Sequence, residues 1–235
     1  MVTALQFSGG KDSLACLHLF ESEWDDIYVV WVNTGAAYPD VIEYMEEWRQ
    51  VLPNFVEVKT DQPGNIAKYG WPADVVPINS TSIGRKLMSG DGPVIQDYLS
   101  CCGRNIWAPM QSAMKDLGAT RIIRGQRADD SHKGPLKSGQ LVDGVEYVYP
   151  LENWSEQDVF DYLRSVDAQI PSYYAKGEVT GRDCWDCTAY LEENVNRIQG
   201  LPDEKRVEME RRISLIDSAI SSEWHGRSII ARSAP

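Results

Sequence analysis

The stretch Ser8-Gly9-Gly10-Lys11-Asp12-Ser13 decides the fold of this chain. An apolar run at residues 4–7 precedes it and a second one at residues 14–20 follows it, which indicates a strand, a glycine turn and a helix. Two adjacent glycines allow a tight turn whose backbone N–H groups point into one concavity. The start of the helix adds unpaired donors and a positive dipole end, the two serines add hydroxyls, and Lys11 adds a charge. We therefore predict a phosphate-binding turn, with an ordinary serine-capped strand–helix turn as the alternative.

Composition and charge limit the classes of function. The 235 residues, of which 43% are hydrophobic and 25% charged, predict one globular α/β domain with a small appendage. No apolar run reaches the roughly 20 residues of a membrane span, and the N-terminus carries no secretory signal, so we expect a cytoplasmic protein. A net charge of −12 argues against direct binding of nucleic acid, which relies on basic side chains.

Strand-like runs alternate with helical stretches along most of the chain, at residues 27–33, 55–59, 119–124 and 145–151. This order predicts a doubly wound, mostly parallel, Rossmann-like α/β sheet. Ligands of such sheets bind beyond the carboxyl ends of the strands. The segments Asn33-Thr34-Gly35 and Gly125-Gln126-Arg127 follow two of these strands, and we predict that they border the same site as the glycine turn.

Arg127 is the predicted anion clamp at this edge, because a guanidinium presents paired donors to two oxygens. Asp129 and Asp130 follow it closely and offer a structural salt bridge as the alternative. We favour the clamp because Arg127 lies just beyond a strand. Lys11 and Asp12 complete the predicted catalytic set. Lys11 neutralises phosphate charge, and Asp12 is a Mg²⁺ ligand, a geometry-fixing carboxylate or a helix cap.

Composition also predicts how the rest of the chain is organised. Residues 61–92 are rich in Gly, Pro, Asn and Ser, which predicts a long loop or lid. Beyond residue 190 the pattern predicts two helices, broken near residues 200–202. We therefore divide the chain into a domain, 1–190, that carries the predicted sites and a C-terminal helical segment, 191–235. Apolar residues of the second helix predict packing on the domain or on a partner, so an oligomer is compatible with the sequence.

The spacing of the five cysteines is more informative than their number. Cys101 and Cys102 are adjacent, Cys184 and Cys187 form a Cys-x-x-Cys, and Cys16 is alone. In a cytoplasmic chain such spacing favours metal or redox chemistry over disulfides. Four soft ligands suit an iron–sulfur cluster or tetrahedral zinc, and free structural thiols are the third alternative. Cys16 is predicted to be a small buried apolar residue.

The chain resembles the sulfonucleotide (PAPS/APS) reductase family, within the wider superfamily of PP-loop adenine nucleotide α-hydrolases. Its glycine turn is similar to the PP-loop, and its double cysteine with a distant Cys-x-x-Cys is similar to the cluster-bearing APS reductase branch. The matching segments are Ser8–Ser13, Asn33-Thr34-Gly35 with Pro39, Cys101-Cys102 with Pro109, Gly125-Gln126-Arg127, Pro150-Leu151 with Trp154, Ile170-Pro171, and Cys184-x-x-Cys187-Thr188.

The resemblance implies an adenine nucleotide, either ATP with Mg²⁺ or APS/PAPS, as ligand. It implies a [4Fe–4S] cluster held by Cys101, Cys102, Cys184 and Cys187, and a thioredoxin-like or sulfur-donor protein as partner. The nucleotide-binding residues that it implies are Ser8, Gly9, Gly10, Lys11, Asp12, Ser13, Asn33, Thr34, Gly35, Gly125, Gln126 and Arg127.

Three differences from those reductases bear on the activity. The reductases resemble one another in a C-terminal Glu-Cys-Gly-Leu-His segment that supplies the attacking thiolate, whereas no cysteine follows Cys187 in this sequence. Their Arg-Lys pair after the double cysteine aligns with Asn105 and Ile106. The turn Gly-Gly-Lys-Asp-Ser is closer to that of enzymes that split ATP between its α and β phosphates. We therefore expect an adenylylating sulfur-transfer enzyme, with an APS/PAPS reductase whose thiol comes from elsewhere and a non-catalytic nucleotide-binding module as alternatives.

Overall fold

The computed structural model of the protein describes residues 1–88, 92–130, 133–178 and 180–232. The strands in these residues are β1 (Thr3–Gln6), β2 (Ile27–Asn33), β3 (Phe55–Lys59), β4 (Trp71–Ala73), β5 (Ile95–Asp97), β6 (Arg121–Ile123), β7 (Gln140–Val142) and β8 (Val145–Val148). The α-helices are α1 (Lys11–Leu19), α2 (Pro39–Val51), α3 (Gln62–Tyr69), α4 (Ser82–Met88), α5 (Tyr98–Cys102), α6 (Ala108–Asp116), α7 (Glu156–Ser165), α8 (Leu191–Gln199) and α9 (Asp203–Arg232). A π-helical turn, Gly103–Trp107, lies between α5 and α6.

The chain divides into two compact units, each built from two separate segments. The first unit comprises residues 1–60 and 106–183, and the second comprises residues 61–105 and 184–235. These divisions fall at other positions than residue 190, and the division into a domain at 1–190 and a helical segment at 191–235 stays a prediction.

A mostly parallel sheet forms the centre of the first unit. Its order in the described residues is β3-β2-β1-β6-β8-β7, and only the pair β7–β8 is antiparallel. The central strand β1 carries Ala4 and Leu5, which point to opposite faces of the sheet and are fully buried. Ala4 packs with Val30 of β2 and Ile122 of β6 in one core cluster. The predicted α/β class with a doubly wound, mostly parallel sheet is confirmed.

The chain order explains where ligands can bind in this unit. The strands that follow β1 lie on one side of it up to β3, and the chain then returns to β6 on the other side. Such a reversal leaves a crevice beyond the carboxyl ends of the two diverging strands. The turn after β1 and the segment after β6 therefore meet at this crevice.

The second unit contains a small parallel pair, β4 and β5, packed by the C-terminal helix. Ile216 of α9 forms a buried cluster with Ala73 of β4 and Ile95 of β5. The helices α8 and α9 are separated at residues 200–202, so the predicted break in the C-terminal helical segment is confirmed.

The prediction of an irregular loop over residues 61–92 is wrong for most of that stretch. The carboxylate of Asp61 accepts a hydrogen bond from the Gly64 N–H at 2.9 Å and caps α3, which has a proline in its first turn. The short strand β4 then pairs with a strand that is distant in sequence, and α4 follows it. Composition missed these elements because caps and strand pairing override weak local propensity. Residues 89–91 of the predicted lid lie outside the described residues.

The segment before the double cysteine contains β5 and then α5. At the start of α7, the Ser155 hydroxyl and the Asp158 carboxylate form a reciprocal capping box. In the part of the chain that the structure describes, no helix is both long and apolar enough to cross a membrane.

Candidate functional site

The glycine turn joins β1 to α1, and its two serines hold it together. The Ser13 hydroxyl donates to the Gly10 carbonyl at 3.0 Å and accepts from the Ser8 N–H at 3.2 Å. The two serine hydroxyls are also 3.2 Å apart. These bonds close the turn on itself and fix its conformation at the start of α1.

Two positions require glycine, Gly9 because of its backbone conformation and Gly125 because another backbone segment approaches it closely. Gly9 has φ +75°, and a Cβ there would lie 2.4 Å from Cε of Met45. A Cβ on Gly125 would lie 2.7 Å from the Asp12 carbonyl oxygen, because the segment after β6 passes directly against the start of α1. The two segments predicted to share an edge are thus in van der Waals contact.

A cavity of about 480 Å³ opens beyond the carboxyl ends of β1, β2 and β6. Of the predicted nucleotide-binding residues, it is lined by Ser8, Gly10, Asp12, Ser13 and Gly125. Its remaining lining includes two charged side chains, Arg124 and Asp183, and the aromatic rings of Trp31, Trp107, Tyr147 and Tyr174. The described lining contains no cysteine. The cavity thus joins the glycine turn to an apolar and aromatic pocket.

Lys11 is buried at the base of the turn rather than in the cavity lining. Its side chain is 5% exposed and its Nζ lies 3.3 Å from Asp12 and 3.2 Å from Glu156 of α7. Burial alone would lower the pKa of Lys11, but the charges of Asp12, Tyr174 and Glu156 outweigh it and raise the pKa. The lysine therefore stays charged at neutral pH.

Arg127 is held by three carboxylates. Its guanidinium lies 2.9 Å from Asp12, 3.1 Å from Asp129 and 3.2 Å from Asp130. The Arg127 backbone N–H also donates to Asp130 at 2.8 Å. The structural salt bridge, which the sequence offered as the alternative, is therefore formed, and Arg127 reaches the site through Asp12.

The other predicted binding residues stabilise the loops that surround the cavity. The Asn33 amide donates to Glu57 at 2.7 Å, and the Asn33 side chain accepts from the Gly35 N–H at 3.1 Å, while Thr34 is buried. The Gln126 side chain accepts from the Gly134 N–H at 2.9 Å. Gly9, Lys11, Asn33, Thr34, Gly35, Gln126 and Arg127 are not among the described residues that line the cavity.

Tyr174 is a contact of the turn that the sequence did not predict. Its hydroxyl oxygen accepts the Lys11 backbone N–H at 2.9 Å, and its ring lines the cavity. Tyr174 follows the segment Ile170-Pro171, so a polar aromatic residue beside that segment was the available signal. Glu156, which pairs with Lys11, carried no signal beyond its position in the first turn of α7.

The four clustered cysteines all belong to the second unit. Cys101 and Cys102 end α5, which follows β5, and the segment with Cys184 and Cys187 is tied to β4. Thr188 donates its hydroxyl to the Pro72 carbonyl at 2.6 Å. The Tyr190 N–H donates to Asp74 at 2.8 Å. Pairing of β4 with β5 thus brings both cysteine pairs to one small sheet.

The Cys187 thiol interacts electrostatically with Cys101 and Cys102, but the described side chains do not form a complete metal-coordination sphere. Burial, together with the charges of Cys102 and Cys101, raises the pKa of Cys187 to about 12. Asn105 donates its amide to the Cys101 carbonyl at 2.9 Å and to its sulfur at 3.7 Å. Within the described ranges, no three His, Cys, Asp or Glu side chains are close enough together to hold a metal ion.

The chain is similar to proteins of known activity. The sequence model of the phosphoadenosine phosphosulfate reductase domain matches residues 3–190. A phosphoadenosine 5′-phosphosulfate reductase from Synechococcus sp. (strain ATCC 27144 / PCC 6301 / SAUG 1402/1) is 23% identical over 206 residues, which cover 85% of this chain and 82% of that protein. A 7-cyano-7-deazaguanine synthase from Pyrococcus furiosus is 23% identical over 236 residues, which cover 86% of this chain and 94% of that protein.

A solved structure supports the same fold. The phosphoadenylyl-sulfate reductase from Candida auris, in a phosphate complex, superposes with a TM-score of 0.54 at 15% identity. The match covers 78% of this chain and 81% of that chain. At this identity the likeness concerns the fold alone.

Proposed function

The chain belongs to the phosphoadenosine phosphosulfate reductase family, a family of enzymes, and on that premise we propose that it binds ATP and performs adenylylating sulfur transfer. The observation that carries the proposal is the cavity at the glycine turn. It joins the N-terminal donors of α1 and the nearby charge of Lys11 to an aromatic pocket. A phosphate chain at the turn and an adenine ring in the pocket satisfy both parts.

The proposed chemistry has two steps. An acceptor oxygen bonds to the α-phosphorus of ATP while the bond from that phosphorus to the bridging oxygen breaks, which releases pyrophosphate. A sulfur nucleophile then displaces AMP from the adenylylated acceptor. Transfers of this kind depend on positioning and on neutralisation of charge. Lys11 and the backbone N–H groups of the turn supply both in our proposal.

Asp12 fits the geometry-fixing role better than that of a metal ligand. Its carboxylate lies between two cations, at 3.3 Å from Lys11 and 2.9 Å from Arg127. A carboxylate that already pairs with two cations holds the lysine in place, and its negative charge is largely neutralised before a metal ion could bind. We propose that Mg²⁺ enters with the phosphates of the nucleotide, as is usual for this ion.

The absence of a thiol from the described cavity lining supports adenylylation over reduction of a sulfonucleotide. A reductase must present a sulfur nucleophile to its substrate, and Cys16, although it lies on α1, is fully buried. The second candidate function is therefore an APS/PAPS reductase whose thiol is supplied by a thioredoxin-like partner. Membership of the family favours this candidate, and it makes a different prediction for ligand preference.

We further propose that Cys101, Cys102, Cys184 and Cys187 hold a [4Fe–4S] cluster. Their four soft sulfur atoms, their common unit and the electrostatic coupling of Cys187 with Cys101 and Cys102 support this assignment. Bound there, such a cluster supplies redox-active iron and sulfide. Tetrahedral zinc is the alternative for the same donor set.

Calorimetric titration of the anaerobically purified full chain separates the two functions. We expect ATP–Mg²⁺ to bind with no preference for APS or PAPS, and Lys11→Gln to weaken ATP binding by about tenfold. Lys115→Gln, a change on α6 away from the turn, serves as the control. A clear preference for APS or PAPS, with sulfite released in the presence of thioredoxin, would establish the reductase instead.

A further inference from the structure

We propose that Tyr174 contacts the phosphate of the ligand as a hydrogen-bond donor, an inference that rests on the proposed nucleotide function. The tyrosine follows α7 in the first unit, and its ring forms part of the cavity wall. Its hydroxyl oxygen accepts the Lys11 N–H at 2.9 Å, at the N-terminus of α1. The Lys11 ammonium lies 5.6 Å from the centre of the same ring.

The hydroxyl has a proton left to donate. A tyrosine hydroxyl accepts through its lone pairs and donates one proton. Lys11 donates its backbone N–H to the Tyr174 oxygen at 2.9 Å. This contact uses the oxygen as an acceptor, so the hydrogen bond with Lys11 leaves the Tyr174 proton available for another acceptor. The cavity that the ring lines is where a ligand oxygen can accept it.

Tyr174 stays protonated under ordinary conditions. Burial raises its pKa, although the hydrogen bond from the Lys11 N–H lowers it. A neutral hydroxyl beside an α-helix N-terminus donates to an anion without adding negative charge of its own. The Tyr174 hydroxyl thus lies at the N-terminus of α1 as a neutral donor.

The ring is held in a fixed position. It packs edge-on against Phe160 of α7, with the ring centres 5.6 Å apart, and its ring centre lies 4.5 Å from that of Tyr173 in a tilted arrangement. Arg182 then ties this segment to α2, because it pairs with Asp40 at 2.6 Å and lies 4.8 Å from the ring centre of Tyr173. Hydrogen-bond donors that are already held in place lose little conformational entropy when a ligand binds.

Gly10 explains how the hydroxyl reaches the turn. A Cβ at Gly10 would lie 3.1 Å from the Tyr174 hydroxyl oxygen, which is closer than an ordinary contact. The second glycine of the turn therefore leaves room for the tyrosine as well as for tight bending. Together these contacts extend the phosphate site from the turn to the segment after α7.

Tyr174→Phe removes only the hydroxyl and keeps the packed ring. We expect this variant to bind ATP–Mg²⁺ and inorganic pyrophosphate about tenfold more weakly in calorimetric titration, because a hydrogen bond to a charged oxygen is lost. Binding of adenosine, which has no phosphate, should stay unchanged. A purely structural tyrosine would alter adenosine binding and the melting temperature together with ATP binding.

Tyr162→Phe is the matched control, since Tyr162 lies on α7 and packs against Trp154 rather than against the turn. It should bind all three ligands like the wild type. If Tyr174→Phe binds ATP and pyrophosphate as well as or better than the wild type, the hydroxyl is no donor to the ligand, and the inference fails while the proposed function stands. If the wild type binds neither ATP nor pyrophosphate, the proposed function and this inference fail together.

Discussion

Asp12 connects the two cations that the sequence assigns to phosphate binding. Its carboxylate pairs with Lys11 at 3.3 Å and with Arg127 at 2.9 Å, and Arg127 pairs in addition with Asp129 and Asp130. Such a network fixes side chains that would otherwise move. It also pairs their charges with one another, so that these charges are less available to a ligand. At the scale of the residue, Arg127 is therefore a positioning group whose first effect is on stability.

Arg127→Met should lower the free energy of unfolding by about 2 kcal/mol, since it leaves the half-buried Asp12 with one cation fewer. Urea denaturation measures this change. The control is Arg164→Met, which removes an arginine that is 62% exposed and paired with Asp161, and which should cost less than about 0.5 kcal/mol. Equal effects of the two variants would contradict the network.

The ionisation of Glu208 should make the stability of the folded protein depend on pH in the acidic range. Hydrogen bonds from Arg211 and Arg212 lower its pKa from 4.5 to about 2. Because the folded pKa is the lower one, the ionised carboxylate stabilises the protein above about pH 4.5, and this contribution is lost as the pH falls toward 2.

Glu208→Gln should therefore flatten the melting temperature profile between these two pH values. The side chain is 36% exposed, so solvent screening limits the effect to less than about 1 kcal/mol. Parallel profiles of the wild type and the variant over this range would show that the two arginines do not perturb Glu208.

At the scale of the element, α9 supports the segment that carries the Cys-x-x-Cys. Arg212 reaches Asp186, which lies between the two cysteines and is 4% exposed, at 3.8 Å. Arg211 offers a comparison on the same helix, because both arginines pair with Glu208 and both lie over the ring of Trp71. Of these two, the contact with Asp186 belongs to Arg212.

Arg212→Met should accordingly lower the free energy of unfolding by about 2 kcal/mol more than Arg211→Met, because it leaves a buried carboxylate without its cation. Denaturant titration of both variants gives the difference directly, since the lost pairing with Glu208 is common to them. If the two variants unfold at the same denaturant concentration, Asp186 does not depend on Arg212.

At the scale of the whole molecule, the cysteine pairs come from chain segments that are far apart. Residues 101–102 and 184–187 both belong to the second unit, whereas residues 106–183 between them belong to the first unit. The proposed metal centre would close this long loop, and such a centre binds the folded protein in preference to the unfolded one. Its removal should therefore destabilise the protein.

Anaerobically purified protein is expected to contain about four iron atoms per chain and to be brown. Stripping the metal with a chelator under oxidising conditions should lower the melting temperature by several degrees. Cys187→Ser should lose the iron, whereas Cys16→Ala, which changes a buried cysteine of the first unit, should retain it. A colourless protein with about one zinc atom per chain would contradict the cluster and establish a zinc site instead.

Local patterns made the first unit predictable. The order strand, glycine turn, helix at residues 3–19 and the β-branched run at 27–33 encode backbone conformation within a few residues, and parallel pairing follows from chain order. The stretch 61–92 was less predictable, because α3 depends on the cap at Asp61 and β4 depends on a partner strand. Composition carries neither kind of information.

By itself, the sequence determined the α/β class, the turn at residues 8–13 and the family, because each depends on neighbouring residues or on a fixed order of motifs. The tertiary structure decided which charges are committed and which groups face the cavity. Arg127 is paired and Tyr174 reaches Lys11 because segments that are distant in the chain meet beyond the strand ends. Such contacts depend on how the elements pack against one another. No local sequence pattern encodes this packing.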